Sequence, residues 1–161
     1  MATTGTTTFD LTPPSDAQFR RLAADLGDEE KLVLLEHGTE APFCGVFLKE
    51  KRPGVFTCRL CGLPLFRGGD KFESGTGWPS FTTPFDPDHL KYIRDTSYGM
   101  TRTEIVCARC GSHQGHVFPD GPPPTGERYC INSVSLAFTP AGERLPDKLD
   151  RGAPEGQVLG G

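Results

Sequence analysis

No apolar run in this chain approaches the roughly 20 residues that cross a bilayer. Its opening, MATTGTTTFDLTPP, has neither a basic n-region nor an apolar h-region and contains no arginine. These absences argue against a membrane span, a secretory signal and an arginine-rich transit peptide, so a cytoplasmic location is expected. A basic stripe is also missing: 17 Lys and Arg stand against 21 Asp and Glu, for a net charge of −4. Nucleic acid and anionic membranes are therefore not expected as partners. Hydrophobic residues make up only 35% of the sequence, whereas glycine and proline number 20 and 15. That balance excludes long helices and predicts short elements joined by turns, and 161 residues fall within the usual size of one domain. No internal repeat is visible beyond two cysteine pairs.

Residues 1–12 are polar and are expected to be mobile, because termini order only when something ties them down. Ser15 can cap a helix in DAQFRRLAADL, and Asp28 can cap a second in EEKLVLLEH, closed by Gly38. From Cys44 onward the runs GVFLKE, GVFTCRL, KYIRDTS, TRTEIVCAR, HVFPD and RYCINSVSLAF are separated by Gly, Pro and Asp clusters, which predicts an antiparallel β-domain. The alternation of the last run slips near Ser133, as a bulge would make it do. After Phe138 the chain is charged and interrupted by Pro and Gly, so residues 140–161 read as a solvated tail and residues 13–139 as the folded domain.

The six cysteines divide into two classes. Cys58 and Cys61 in CRLC, with Cys107 and Cys110 in CARC, form two C-x-x-C pairs, each able to present two thiolates from one tight turn to a tetrahedral Zn²⁺. A thioredoxin-like redox pair, or unrelated buried thiols, leaves the duplication unexplained. The stretch between the pairs is longer than in a zinc finger, so the metal would staple distant parts of one domain. Four thiolates close the coordination shell, making the site structural. Cys44 and Cys130 remain. Either could be a small buried hydrophobe, but in GERYCINS Arg128 and Asn132 share a strand face with Cys130, and a neighbouring cation lowers a thiol pKa. His113 and His116 in GSHQGHVFPDG suggest acid–base work beside that thiol, with polar surface placement as the alternative. Asp120 and Glu104 are candidates to orient an imidazole. In ESGTGWPSF, Trp78, Pro79 and Phe81 would build a rigid wall for a small apolar group, unless Trp78 is simply core.

Taken in order, CRLC, ESGTGWPSF, GMTRTEIVCARC, HQGHVFPDGPPPTGERYCINS and the closing LAF resemble the methionine-R-sulfoxide reductases, the B type, from about residue 28 to residue 139. The resemblance implies a mainly β fold, a β-tent of two antiparallel sheets with short N-terminal helices and a structural zinc. It also implies an oxidoreductase that repairs oxidised proteins by reducing the R epimer of methionine sulfoxide, free or protein-bound, with thioredoxin as reductant. By position, Cys130 would be the attacking thiol, and His116, with His113 and Asn132, would handle the sulfoxide oxygen. Trp78 would hold the substrate methyl group, while Arg128, Asp120 and Glu104 shape the site. The chemistry agrees: a sulfoxide sulfur becomes electrophilic once its oxygen is protonated or strongly hydrogen-bonded, so nucleophile, acid and methyl pocket are all required. Many members carry a second, resolving cysteine where this chain has Thr76; Cys44 in PFCG is the sulfur left for that role. Gln114 stands where leucine is more common and is expected to be tolerated. The rival readings are a non-catalytic β-tent ligand-binding module, which needs no thiol, and a zinc-ribbon interaction domain, which explains the four paired cysteines alone.

Overall fold

The computed structural model describes residues 8–158. Helix α1, Asp16–Ala24, begins as expected at Ser15, whose Oγ accepts from Gln18 N while the Gln18 side chain accepts from Ser15 N. Helix α2, Asp28–Leu34, starts one residue earlier than its acidic signal suggested. Gly27 is the cap, and its N–H donates to Glu30 Oε1 at 2.8 Å. Leu22, Val33 and Leu34 turn inward. Among the described residues no helix is long and apolar enough to cross a membrane.

Two antiparallel sheets follow. The small one, in order β2-β1-β9, joins β1 (Gly54–Cys58), β2 (Pro64–Arg67) and β9 (Leu136–Pro140). The large one runs β3-β4-β8-β7-β6-β5, from β3 (Lys71–Phe72), β4 (Ser80–Phe81), β5 (Leu90–Asp95), β6 (Arg102–Cys107), β7 (His113–Phe118) and β8 (Arg128–Ile131). Aromatic rings from both sheets meet between them: Phe66 of β2 stacks on Phe81 of β4 with centroids 4.4 Å apart, and Phe56 of β1 meets the same ring edge-on. Aromatic pairs of this kind add to ordinary burial, which makes this contact the seam of the core.

Three expectations need correction. GVFLKE is not a strand but a run of turns. Gly45 lies so close to Ser133 and Glu40 that a Cβ there would sit 2.3 Å from Ser133 Oγ, a proximity that a turn, not a pleated strand, provides. The slip near Ser133 is not a bulge either. A tight 3-10 turn, Ser133–Ser135, ends β8 in the large sheet and sends the chain into β9 of the small one. Finally, the segment after Pro140 is packed, not solvated. Leu145 and Leu149, four residues apart, join the core. Glu155 pairs with Arg109, which is 1% exposed and also donates to Asp10 O and Cys61 O. A buried guanidinium has to find acceptors, and segments near the two chain ends supply two of the three. Residues 1–7 of the expected mobile N-terminus lie outside the described residues, but Phe9 is buried edge-on against Phe85 and His89.

Candidate active site and metal centre

The paired cysteines come together. Cys58 and Cys61 span the β1–β2 turn, Cys107 and Cys110 the β6–β7 turn, and their four sulfur atoms all lie within 4.8 Å of one another. The two turns are copies. In each, the glycine after the second cysteine, Gly62 or Gly111, has positive φ and returns its N–H to the carbonyl of the first cysteine at 2.8 or 2.9 Å. Only glycine takes that backbone conformation without strain. The Cys58–Cys110 and Cys61–Cys107 sulfur separations are both 3.6 Å. A tetrahedral ion with metal–sulfur bonds of ~2.3 Å has sulfur–sulfur edges of about 3.8 Å, so the thiols fit such an ion with little movement. This metal site ties the small sheet to the large one.

The large sheet builds a second constellation through its register. Ser80 of β4 lies opposite Cys130 of β8, Cys130 opposite His116 of β7, and His116 opposite Glu104 of β6. Directly opposed residues share a face, so thiol, imidazole and carboxylate form one row. His113 would ordinarily face away, being three residues from His116. The pairing of β6 with β7 slips at Ile105/Val106, however, leaving Gln114 as an extra residue and placing His113 opposite Val106. The bulge turns both histidines to one side. It is pinned by Asn132, whose N and Nδ2 both donate to Gln114 O, at 2.9 and 3.1 Å. The Gln114 side chain is fully buried and aims Nε2 at Cys58 Sγ and Ser112 Oγ, which links the bulge to the metal turn.

A cavity of about 230 Å³ opens over this row. Cys130, His116 and Asn132 line it with Trp78, Phe118, Arg128 and Thr76. Trp78 is not core. Its ring is half-buried and held by an Nε1–H bond to Glu40 O at 3.0 Å. Arg128 lies over the Phe118 ring and forms a two-pronged pair with Asp120 at 3.0 and 3.2 Å. Phe81, expected in the wall, is absent from it: β4 alternates, so with Ser80 facing Cys130, Phe81 enters the core. Asp120 steadies Arg128, not an imidazole. Glu104 does hold an imidazole, accepting from His113 Nδ1 at 2.6 Å, but His113 is 2% exposed and borders an adjoining cavity, not the one over Cys130. Cys44 is exposed and outside the lining. Its neighbour Phe43 donates its N–H to Gly77 O, beside Thr76.

Sequence reasoning missed Asp95 and Glu40. Asp95 Oδ2 accepts from His116 Nε2 at 2.8 Å and from Arg102 at 3.0 Å, while Oδ1 accepts from Ser97 N and Oγ. The Ser97 bonds, with those of His116 and Arg102, hold this carboxyl below the usual range, so it is ionised. An ionised carboxylate only accepts. The hydrogen therefore sits on His116 Nε2 in the neutral ring, and Nδ1 is left free. Glu40 is buried and braces both walls, taking Trp78 through its carbonyl and giving its N–H to Asn132 Oδ1. Neither residue belongs to a recognisable motif; the D-x-S turn of Asp95–Ser97 was the one local signal. The thiol itself differs from expectation. Burial pushes Cys130 up from its ordinary pKa, and Arg128 with the Thr76 hydroxyl only partly offsets that rise.

A family model described as the SelR domain matches residues 26–140. The chain is also similar to proteins named peptide methionine sulfoxide reductase MsrB. One from Caulobacter vibrioides is 68% identical over 151 residues, covering 94% of this chain and 95% of the relative. One from Xylella fastidiosa is 63% identical over 145 residues, covering 90% and 94%. One from Escherichia coli is 52% identical over 118 residues, covering 73% and 86%. The matched region contains the four metal-site cysteines and the whole Cys130–His116–Asp95 arrangement, and the chain belongs to the SelR-domain family, the B-type peptide methionine sulfoxide reductases.

Proposed function

We propose that this protein reduces the R epimer of methionine sulfoxide, free or within proteins, with Cys130 as the attacking sulfur. The observation that carries the reading is the row of Cys130 and His116, braced by Asp95, beneath a cavity walled by Trp78 and Phe118. The aromatic wall takes the substrate's methyl group. Arg128 and Asn132 are the polar lining residues available to the sulfoxide oxygen beside His116. The Cys130 sulfur attacks the sulfoxide sulfur as the oxygen takes up a proton, with His116 as the proton carrier. The sulfur–oxygen bond then breaks in favour of Cys130. Thiol plus sulfoxide become sulfenic acid plus thioether, so the thiol's own hydrogen balances the step. Glu104, on the neighbouring strand β6, holds His113, whose ring packs edge-on against that of His116 on their shared strand.

Cys44 resolves the sulfenic acid: its thiol attacks the Cys130 sulfur, water leaves, and the resulting disulfide passes to the dithiol of thioredoxin. Bridged Cα atoms lie about 4.4–6.8 Å apart, the separation that Cys130 and the exposed Cys44 reach in the disulfide. The four-cysteine site holds Zn²⁺, which supplies a closed, structural cross-link and takes no part in the reaction. Metal-binding thiol pairs and recyclable cysteines suit a reducing compartment, which supports a cytoplasmic location.

The test is an activity assay on each sulfoxide epimer with thioredoxin as reductant. Selective loss of R-epimer reduction in Cys130→Ser supports the reading. Retained binding of a sulfoxide by a wild-type protein that turns over neither epimer would favour the non-catalytic module. Peptide mapping after turnover without reductant decides the resolver, since the absence of a Cys44–Cys130 linkage rejects it.

A further inference from the structure

Beside the catalytic cavity lies a second, of about 500 Å³, which shares His116 and Arg102 with it but receives no part of the substrate in the proposed reaction. His37 and His113 converge there on one carboxylate oxygen: Glu104 Oε2 accepts from His37 Nδ1 at 2.5 Å and from His113 Nδ1 at 2.6 Å. The three ligand atoms all lie within 4.8 Å of one another, and the two rings are 5.3 Å apart between centroids. His37 reaches this position from a left-handed backbone conformation, φ 59°, just after α2. Histidine tolerates that region better than most residues.

We propose that His37, Glu104 and His113 form a second metal site, distinct from the four-cysteine centre, for a borderline divalent transition-metal ion. Two imidazoles and one carboxylate on a single side of the ion, with an open cavity opposite, are the donor set that Zn²⁺, Fe²⁺, Co²⁺ and Ni²⁺ accept. Hard cations such as Mg²⁺ prefer oxygen ligands and would be excluded. To admit an ion with bonds of ~2.0–2.1 Å, the Oε2–Nδ1 separations have to open to roughly 3.3 Å. His37 is half-exposed on a turn and can supply most of that movement. The ring hydrogens shift from Nδ1 to Nε2 as the ion takes Nδ1. Arg102, the cation among the cavity-lining residues, is already neutralised by Asp95. A bound ion would tether the segment bearing Thr39 and Glu40 to the large sheet, and Glu40 holds Trp78 and Asn132.

The experiment uses full-length protein with its four-cysteine site filled, titrated with Co²⁺ under anaerobic conditions. Expected are one further Co²⁺ per chain with nitrogen- and oxygen-type ligand-field absorption, no thiolate charge-transfer band, and a raised melting temperature. Loss of an outer-shell partner alone weakens metal sites about 10–100-fold, so His37→Ala is expected to weaken binding at least ~10-fold. Glu104→Gln, which can still accept the imidazole hydrogen bonds, should do the same without unfolding the sheet. No additional Co²⁺, a thiolate-type spectrum, or unchanged affinity in both variants would overturn the proposal. Because binding is read without substrate, the outcome is independent of whether the protein reduces sulfoxides.

Discussion

Replacing Asp95 by asparagine isolates the part of the site that no motif announced. In the wild type Oδ1 is committed to Ser97, accepting from its N and Oγ, and Oδ2 to His116 Nε2 and Arg102. If the asparagine oxygen keeps the Ser97 bonds, its NH2 group faces two donors. His116 must then move its hydrogen to Nδ1, the nitrogen meant to carry the proton between thiol and oxygen. If the amide flips instead, the Ser97 turn loses its cap. The first case keeps the shape and blocks the proton route; the second keeps the route and weakens the turn, so lost activity at an unchanged melting temperature identifies the first. Positioned acid–base catalysis contributes roughly 10²–10⁴-fold, so kcat for the R epimer is expected to fall about 100-fold, the low end, because the ring remains in place. The assay is single-turnover formation of methionine without reductant, which separates this step from disulfide recycling. Ser97→Ala, which trims the cap but leaves Oδ2 intact, serves as the fold control. A variant with wild-type kcat and melting temperature would refute the claim that Asp95 sets the tautomer of His116.

Three other perturbations follow from packing and charge. A Cβ at Gly115 would sit 2.0 Å from Cys130 O, so Gly115→Ala should push β8 off β7 and destabilise by about 1–3 kcal/mol, read by denaturant unfolding together with loss of turnover. Glu155→Ala leaves Arg109 buried without its carboxylate, a change that typically costs about 3–5 kcal/mol; a melting temperature equal to wild type would mean the C-terminal segment is not part of the fold. Burial lowers the pKa of His89, whose Nδ1 is bonded to Pro64 O. As pH falls through the unfolded value of ~6.5, the unfolded state takes up a proton that the folded state refuses, so stability drops until pH passes below the folded pKa. His89→Asn, which keeps a donor for Pro64 O, should remove up to about 1.4 kcal/mol per pH unit of that slope, measured by urea titrations across the window.

Local chemistry was legible in the sequence wherever a spacing has one geometric meaning. C-x-x-C closes a tight turn, a serine before an apolar helical run caps it, and R-x-C-x-N puts three side chains on one side of the chain. What could not be read depends on register between strands. Nothing local says that Gln114 bulges out of the β6–β7 pairing, yet without that bulge His113 and His116 would face opposite sides of the sheet. The same holds for Phe81, assigned to the pocket by its nearness to Trp78 and sent to the core because Ser80, one residue earlier, is the partner of Cys130. The C-terminal segment misled through composition. Two leucines four residues apart were outweighed by the charges around them, and one of those charges, Glu155, answers a buried arginine on the metal turn.

The raised pKa of Cys130 reverses the electrostatic expectation and strengthens the chemical one. A thiolate standing in the open cavity would meet any oxidant that entered, and each encounter risks carrying sulfur past the sulfenic stage to acids that thiols cannot reduce. A thiol that keeps its hydrogen until substrate arrives avoids this, and it holds the one proton that the sulfoxide oxygen requires. Arg128 and Thr76 oppose the burial that raises the thiol pKa, without outweighing it. On the proposed reading the moment of ionisation falls to the group that accepts the proton, the free nitrogen of His116, oriented by a carboxylate that never leaves its anionic form near neutral pH. Reactivity here is a property of the loaded site, not of the cysteine alone.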